Sequence, residues 1–246
     1  MKIKFILGLL LLCNLTNAQV VTDSVAIKKS CFQSARNEIK DMLDGKTPLN
    51  YEKAVFIMEN AWSGNTLSYE AYQNTLEYYT DIIKDLSNVF RGQPEIEKSF
   101  IKTEEMQFQQ YETALMNYTI FKFINDTTYF LNQYDTVTQT MFIEQNLPFT
   151  YSFSDPFGTT DWKNTQLIHL MQTKKGNCFA LASMFKVLAD RLNSNAQLCT
   201  APGHIYIRHA NEKGIYFNVE LATGTFPGTG SLKTLTYSIS SLGNIE

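Results

Sequence analysis

The chain has 246 residues, of which 44% are hydrophobic and 13% aromatic, enough apolar material for one large or two small globular domains. A formal net charge of -3, with acidic and basic residues mixed along the chain, argues against the clustered Lys and Arg of a nucleic-acid-binding surface. The histidines and cysteines lack zinc-ligand spacing and no glycine-rich nucleotide loop occurs, so we expect neither a metal nor a cofactor.

The first predicted element is a secretory signal peptide over residues 1–18. Two lysines precede an apolar run at 5–12, and small residues follow it. The run is too short to span a membrane. Leu12, directly before Cys13, is not the small residue that lipoprotein processing requires, which favours a soluble exported form in the periplasm or outside the cell. No later run is long and apolar enough to predict an integral membrane span.

A helical region is predicted over residues 22–125. The spacing of apolar residues indicates helices, and Gly, Pro and Asn clusters supply the breaks between them. Such a region offers a surface for a protein partner in the cell envelope. The predicted helices cover residues 25–44, 50–61, 68–90 and 95–124.

The second predicted domain covers residues 126–246. Thr, Tyr, Phe and Val near its start favour strands or an extended connector at 136–138 and 141–143. A helix is predicted over 162–172, beside the helix that follows it, with His169 as a packed core residue. Its predicted core positions are Trp162, Leu167 and Leu170. The expected fold class is therefore α+β, with the helical region first.

The next helix begins at Cys178, the first candidate catalytic residue. Apolar residues recur at steps of three and four from Phe179 onward, which predicts one buried face. Gly176 and Asn177 supply a turn and an N-cap, so the thiol would lie in the first helical turn, where the helix dipole favours a thiolate. A small buried cysteine is the alternative, and by itself the more common case. The predicted buried stripe is Phe179, Ala182, Phe185, Leu188, Ala189 and Leu192, ended by residues 193–195.

Two alternating β-branched and aromatic runs around a polar loop at 210–214 predict a β-hairpin. In an even register, His204 on the first strand faces Asn218 or Glu220 on the second, within reach of a hydrogen bond. A register slip of one residue would put the partner on the wrong face. An imidazole held by such a partner can accept a thiol proton. His209, at the end of the hairpin, is predicted to be exposed.

The cysteine count leaves the pairing of thiols open. Without Cys13 in the signal peptide, Cys31, Cys178 and Cys199 remain, an odd number for an exported chain. One interpretation pairs Cys31 with Cys199 and leaves Cys178 free and reactive. The other leaves all three cysteines reduced.

At these residues the chain resembles the transglutaminase-like superfamily, a branch of the papain-like cysteine enzymes found in many bacterial proteins. The resemblance covers residues 155–232 and rests on Gly176-x-Cys178-aromatic at a helix start, Gly203-His204 at a strand start, and a polar residue on the next strand. It implies a transglutaminase-like domain, a catalytic helix packed on an antiparallel sheet. It also implies a triad of nucleophile, general base and orienting residue: Cys178, His204 and Asn218. Many members carry Asp at the third position, so Glu220 is the alternative.

The resemblance implies acyl transfer through a thioester at an amide or peptide bond. Water as the second substrate would make the protein a cysteine peptidase or amidase acting on a peptide or protein, and a lysine would make it a cross-linking transferase. Trp162, Asn164 and Gln166 are considered as the second oxyanion donor, beside the N–H of Cys178. Two alternatives stay open: a catalytically inactive interaction domain, and an envelope scaffold that works through the helical region.

Overall fold

The computed structural model describes residues 25–93, 108–210 and 216–227. The described chain is a mixed α+β protein and divides into two compact units between Glu70 and Ala71. Three predicted features lie outside the described residues: the signal peptide, the part of the helix at 95–124 that precedes residue 108, and the polar loop of the hairpin from residue 211. The predicted domain boundary near residue 125 falls between a helix and a strand, and the two predicted domains stay predictions.

The described part of the first unit, before α3 begins, contains two helices, and their positions follow the predicted spacing. Helix α1 covers residues 25–43 and α2 covers Tyr51–Trp62. The side chain of Asn50 caps α2 by accepting a hydrogen bond from the N–H of Lys53 at 2.8 Å. Apolar residues at helical spacing on both helices then form one buried cluster: Cys31, Ala35, Met42, Ile57 and Ala61.

Helix α3 (Tyr69–Phe90) leads into the second unit, which continues with α4 (Phe108–Asn125). An antiparallel hairpin follows, made of β1 (Thr128–Asp135) and β2 (Thr140–Asn146). Residues 136–138, considered as a strand, form the turn of this hairpin, because the carboxylate of Asp135 accepts hydrogen bonds from the N–H groups of Val137 and Thr138.

The helix predicted at 162–172 is two elements. A 3₁₀ helix covers Trp162–Thr165 and α5 covers Leu167–Thr173, because Gln166 between them has an extended backbone. Leu167 and Leu170 are fully buried as predicted, whereas Trp162 is half-buried. Two short strands pair in parallel: β3 (Thr150–Tyr151), which precedes the 3₁₀ helix in the chain, and β4 (Lys175–Gly176), which follows α5.

Helix α6 (Cys178–Arg191) lies at the centre of the second unit. It packs against α4, α5 and a three-stranded antiparallel sheet in the order β5-β6-β7, built from β5 (Gln197–Ala201), β6 (His204–Ala210) and β7 (Tyr216–Val219). The predicted end of the helix is confirmed, since Asn193 adopts a left-handed φ of 52° just beyond its C-cap. Most of the predicted stripe is confirmed as core, with Ala182, Phe185, Leu188 and Ala189 at most 1% exposed.

No helix in the described part of the chain combines the length and the hydropathy needed to cross a membrane.

Candidate active site

The N-terminus of α6 holds Cys178 in place through its cap. The side chain of Asn177 accepts hydrogen bonds from the N–H groups of Phe179 and Ala180 at 3.0 and 3.2 Å, which confirms the predicted N-cap. The amide of the same side chain donates to the carbonyl of Pro156 at 3.2 Å. Cys178 is therefore the half-buried first residue of the helix. The side chain of Asn177 bonds the backbone around it to the first turn of α6 and to the loop at Pro156.

Gly176 allows the chain to approach its neighbours closely just before Cys178. A Cβ at this position would lie 2.9 Å from the Cβ of Ala180 and 3.3 Å from the carbonyl oxygen of Asn164. The N–H of Asn177 donates to that same carbonyl at 2.9 Å. The glycine in the Gly-x-Cys pattern therefore has a packing reason, because a side chain there would push the helix start away from the 3₁₀ helix.

The β6–β7 hairpin has the even register that places His204 and Glu220 on one face. Arg208 pairs with Asn218 across the two strands, so the residues two positions apart along each strand share that face. His204 Nε2 lies 2.5 Å from an Oε of Glu220, and the two side chains are 0% and 1% exposed. The second Oε of Glu220 accepts a hydrogen bond from the N–H of Ala222 at 2.9 Å, which fixes the carboxylate.

The residue bonded to the imidazole is Glu220 and not Asn218, which corrects the order of preference taken from the resemblance. Asn218 Oδ1 accepts a hydrogen bond from Nε of Arg208 at 3.1 Å, and its amide donates to the carbonyl of Pro227 at 3.0 Å. The physical reason is the register: Asn218 lies directly opposite Arg208, while His204, four residues earlier on β6, reaches diagonally to Glu220.

His204 is held between a carboxylate and a thiol. Burial alone would lower the pKa of the imidazole, but hydrogen bonding to Cys178 and Glu220 and their negative charge raise it to about 9. At pH 7 the ring is therefore protonated and Nε2–H donates to Glu220. Glu220 occupies Nε2, so the hydrogen bonding to Cys178 falls to the buried Nδ1, which no other described residue engages.

Tyr151 is a neighbour of the site that the sequence did not single out. It pairs with Gly176 across the short parallel strands, two residues before Cys178. Burial raises the pKa of its phenol, and negative charge on Cys178 and Glu220 raises it further. Its hydroxyl is buried and has no hydrogen-bond partner among the described residues. The alternation of Phe149, Tyr151 and Phe153 is the sequence pattern that could have predicted a strand here. Alternation does not indicate, however, which side chain of a strand lies near a cysteine far along the chain.

Cys178 and His204 line the same cleft, which has a volume of about 370 Å³. The loop before the 3₁₀ helix, the first turn of α6 and the start of β6 form its walls. Phe179 belongs to these walls and is 43% exposed, which corrects its predicted place on the buried stripe: in the first turn of α6 its ring lies over the cleft. The remaining wall residues are Pro156, Phe157, Trp162, Thr165, Asn177, Gly203 and Ile205.

The remaining cysteines and histidines lie elsewhere. Cys31 and Cys199 are free thiols, as is Cys178, so the Cys31–Cys199 disulfide is not formed. His169 is half-buried in α5. His209 is buried against the ring of Phe217, at 5.2 Å between centroids, and not exposed as predicted, because this strand packs on α6.

Metal-ligating side chains do not cluster in the described ranges: no group of three or more His, Cys, Asp or Glu there could hold an ion.

The second unit is thus a mixed α+β structure in which a helix-terminal cysteine and a buried His–Glu pair meet at one cleft. No protein-family model matches this chain, and no curated protein or solved structure is significantly similar to it.

Proposed function

We propose that this protein is a thiol-dependent acyl-transfer enzyme of the transglutaminase-like type, which hydrolyses an amide or peptide bond. The observation that carries the proposal is the position of His204. Its Nε2 is bonded to a buried carboxylate, which leaves Nδ1 of the same ring for the thiol of Cys178. A purely structural histidine has no need of a thiol at its second ring nitrogen.

In the proposed reaction the sulfur of Cys178 attacks the carbonyl carbon of the substrate and forms a tetrahedral intermediate. His204 carries the proton and gives it from Nδ1 to the nitrogen of the leaving amine, so that the C–N bond breaks and a thioester remains. Water then attacks the thioester with His204 as the base, which releases the acid and restores the thiol. Glu220 stabilises the imidazolium and holds its orientation throughout.

The oxyanion would be stabilised at the start of α6. The cap side chain uses the N–H groups of Phe179 and Ala180, so the N–H of Cys178 is the first-turn donor that the cap does not engage. Of the three residues considered as a second donor, Trp162 lines the cleft, and the side-chain amide nitrogen of Gln166 is buried with no hydrogen-bond partner among the described residues. The side-chain amide of Asn164 is already used, since it donates to the carbonyl of Asp155 at 2.5 Å.

A direct test compares the wild type with Cys178→Ser and His204→Gln on a panel of fluorogenic peptide amides. We expect hydrolysis by the wild type alone, and a thioester intermediate that can be trapped on Cys178 and observed by mass spectrometry. Cys199, which is half-buried in the same unit, is an internal control, because iodoacetamide should modify Cys178 faster at pH 6. Equal modification of the two thiols together with no hydrolysis of any peptide would contradict the proposal and favour an inactive interaction domain.

The location belongs to the same proposal. Export to the periplasm or the cell exterior rests on residues 1–18, which lie outside the described residues, and a partner bound through the helical region rests on its sequence pattern. Fractionation of cells that express the tagged chain would test the first statement. A pull-down with residues 22–125 deleted would test the second.

A further inference from the structure

Two phenylalanine rings beside Cys178 are left open to solvent. Phe157 is 41% exposed and Phe179 is 43% exposed, and both line the cleft that contains the thiol. Removal of apolar surface from water is favourable, and these two rings forgo much of that gain in the free protein. A ligand bound beside Cys178 would cover them and recover it.

The wall that carries Phe157 is held in place by polar contacts. The carboxylate of Asp155 accepts hydrogen bonds from three successive N–H groups at residues 159–161, at 2.9, 3.2 and 2.9 Å. The carbonyl of Pro156 accepts the bond from the N-cap residue Asn177. The backbone before Phe157 is thereby fixed to the start of α6, and the loop that carries the ring is closed by its own hydrogen bonds. A site that is ordered before binding spends less of its binding energy on ordering side chains and loops.

The rest of the cleft continues this apolar surface. Trp162 and Ile205 add further apolar area, on the 3₁₀ helix and on β6 respectively. Apart from His204 and Cys178 themselves, none of the described residues that line the cleft has an ionisable side chain. The charge of His204 is already paired with that of Glu220, so a charged side chain of a substrate would lose hydration there without gaining a free partner, whereas an apolar one would lose no hydration of a charge.

We infer that the cleft selects acyl donors in which a large apolar side chain, aromatic or branched aliphatic, lies next to the reacting carbonyl. This inference rests on the proposed function, since it assigns the substrate class of the same site. A volume of about 370 Å³ accommodates one such side chain together with the carbonyl group. Phe157 and Phe179 are the specificity-determining residues, because they stand on the loop and on the helix that flank the sulfur.

The test uses alkylation of the full chain, which does not require turnover. Cys178 is treated with N-benzyl-iodoacetamide, iodoacetamide and iodoacetate, and modification of each cysteine is followed by mass spectrometry. Relative to Cys199, we expect Cys178 to prefer the benzyl reagent over iodoacetamide by about tenfold or more, and to disfavour iodoacetate. Phe179→Ala should remove most of that preference and Phe179→Leu should keep it. Phe142→Ala is the matched control, an exposed phenylalanine on β2 outside the cleft.

Two results would overturn the assignment: no benzyl preference at Cys178, or a preference that survives both Phe157→Ala and Phe179→Ala in variants shown by circular dichroism to be folded. Hydrolysis of peptides with Phe, Leu, Asp or Lys at the acyl position separates this inference from the proposed function. A benzyl preference without hydrolysis of any peptide would support the apolar site and contradict the enzyme. Hydrolysis with equal kcat/KM for all four peptides would support the enzyme and contradict the apolar site.

Discussion

Glu220→Gln tests the central pair of the site, because it keeps the size of the side chain and removes its charge. In the wild type the carboxylate lies 2.5 Å from His204 Nε2 and both groups are buried. Burial by itself opposes protonation of the imidazole, and Cys178 and Glu220 together raise its pKa to about 9. Loss of an opposite charge at this range lowers a pKa by about 1 to 3 units. We therefore expect the His204 of the variant to be largely neutral at pH 8.

The same change alters how stability depends on pH. The folded-state pKa of His204 lies above its ordinary value of 6.5, so its contribution to stability is fully present below pH 6.5 and is lost as the pH rises through 9. The size of that contribution is about 3 kcal/mol. We expect the wild-type free energy of unfolding to fall across this window and that of Glu220→Gln to change much less. Urea unfolding from pH 6 to 10, with NMR titration of the His204 ring, measures both quantities.

Asn218→Ala is the matched control for this experiment. Asn218 lies on the same strand and is equally buried, but it bonds to Arg208 and Pro227 instead of the imidazole. We expect this variant to be less stable at every pH, with His204 still titrating near 9. The reasoning is refuted if the titration of His204 stays in place in Glu220→Gln, or if it moves in Asn218→Ala instead.

Three further predictions concern the surroundings of the site. Gly176→Ala should destabilise the protein by about 1–3 kcal/mol and slow iodoacetamide modification of Cys178, because the new Cβ would lie 2.9 Å from that of Ala180. Unchanged urea unfolding would contradict this prediction and show that the start of α6 can shift to make room for the Cβ. Tyr151→Phe should leave stability unchanged or raise it by about 1 kcal/mol, since it removes a buried hydroxyl that has no partner among the described residues; a clear loss of stability would reveal a bond to that hydroxyl. Burial lowers the pKa of His209 to about 4, so its contribution is present above pH 6.5 and is lost as the pH falls through 4. His209→Gln should therefore flatten acid unfolding monitored by circular dichroism, and an unchanged acid transition would contradict its burial.

Local patterns were sufficient for the elements that carry the site. The apolar spacing after Cys178 and the Asn before it predicted the helix and its cap, because both depend on residues within one or two turns. The two alternating runs predicted the hairpin. In an even register, period two also put His204 on the same face of the hairpin as Asn218 and Glu220, since the side chains of a strand alternate whatever lies around it.

Tertiary structure decided what those patterns left open. The choice between Asn218 and Glu220 depended on the diagonal reach across β6 and β7, and the burial of His209 depended on the packing of the sheet against α6. Phe179 looks like a core residue in the sequence, yet it opens onto the cleft because the first turn of a helix projects beyond the core that its later turns fill. Sequence alone determined which residues share a face of an element, because that is set by backbone geometry. Which of those faces meet, and which chemical groups they enclose, was decided by contacts between residues far apart in the chain.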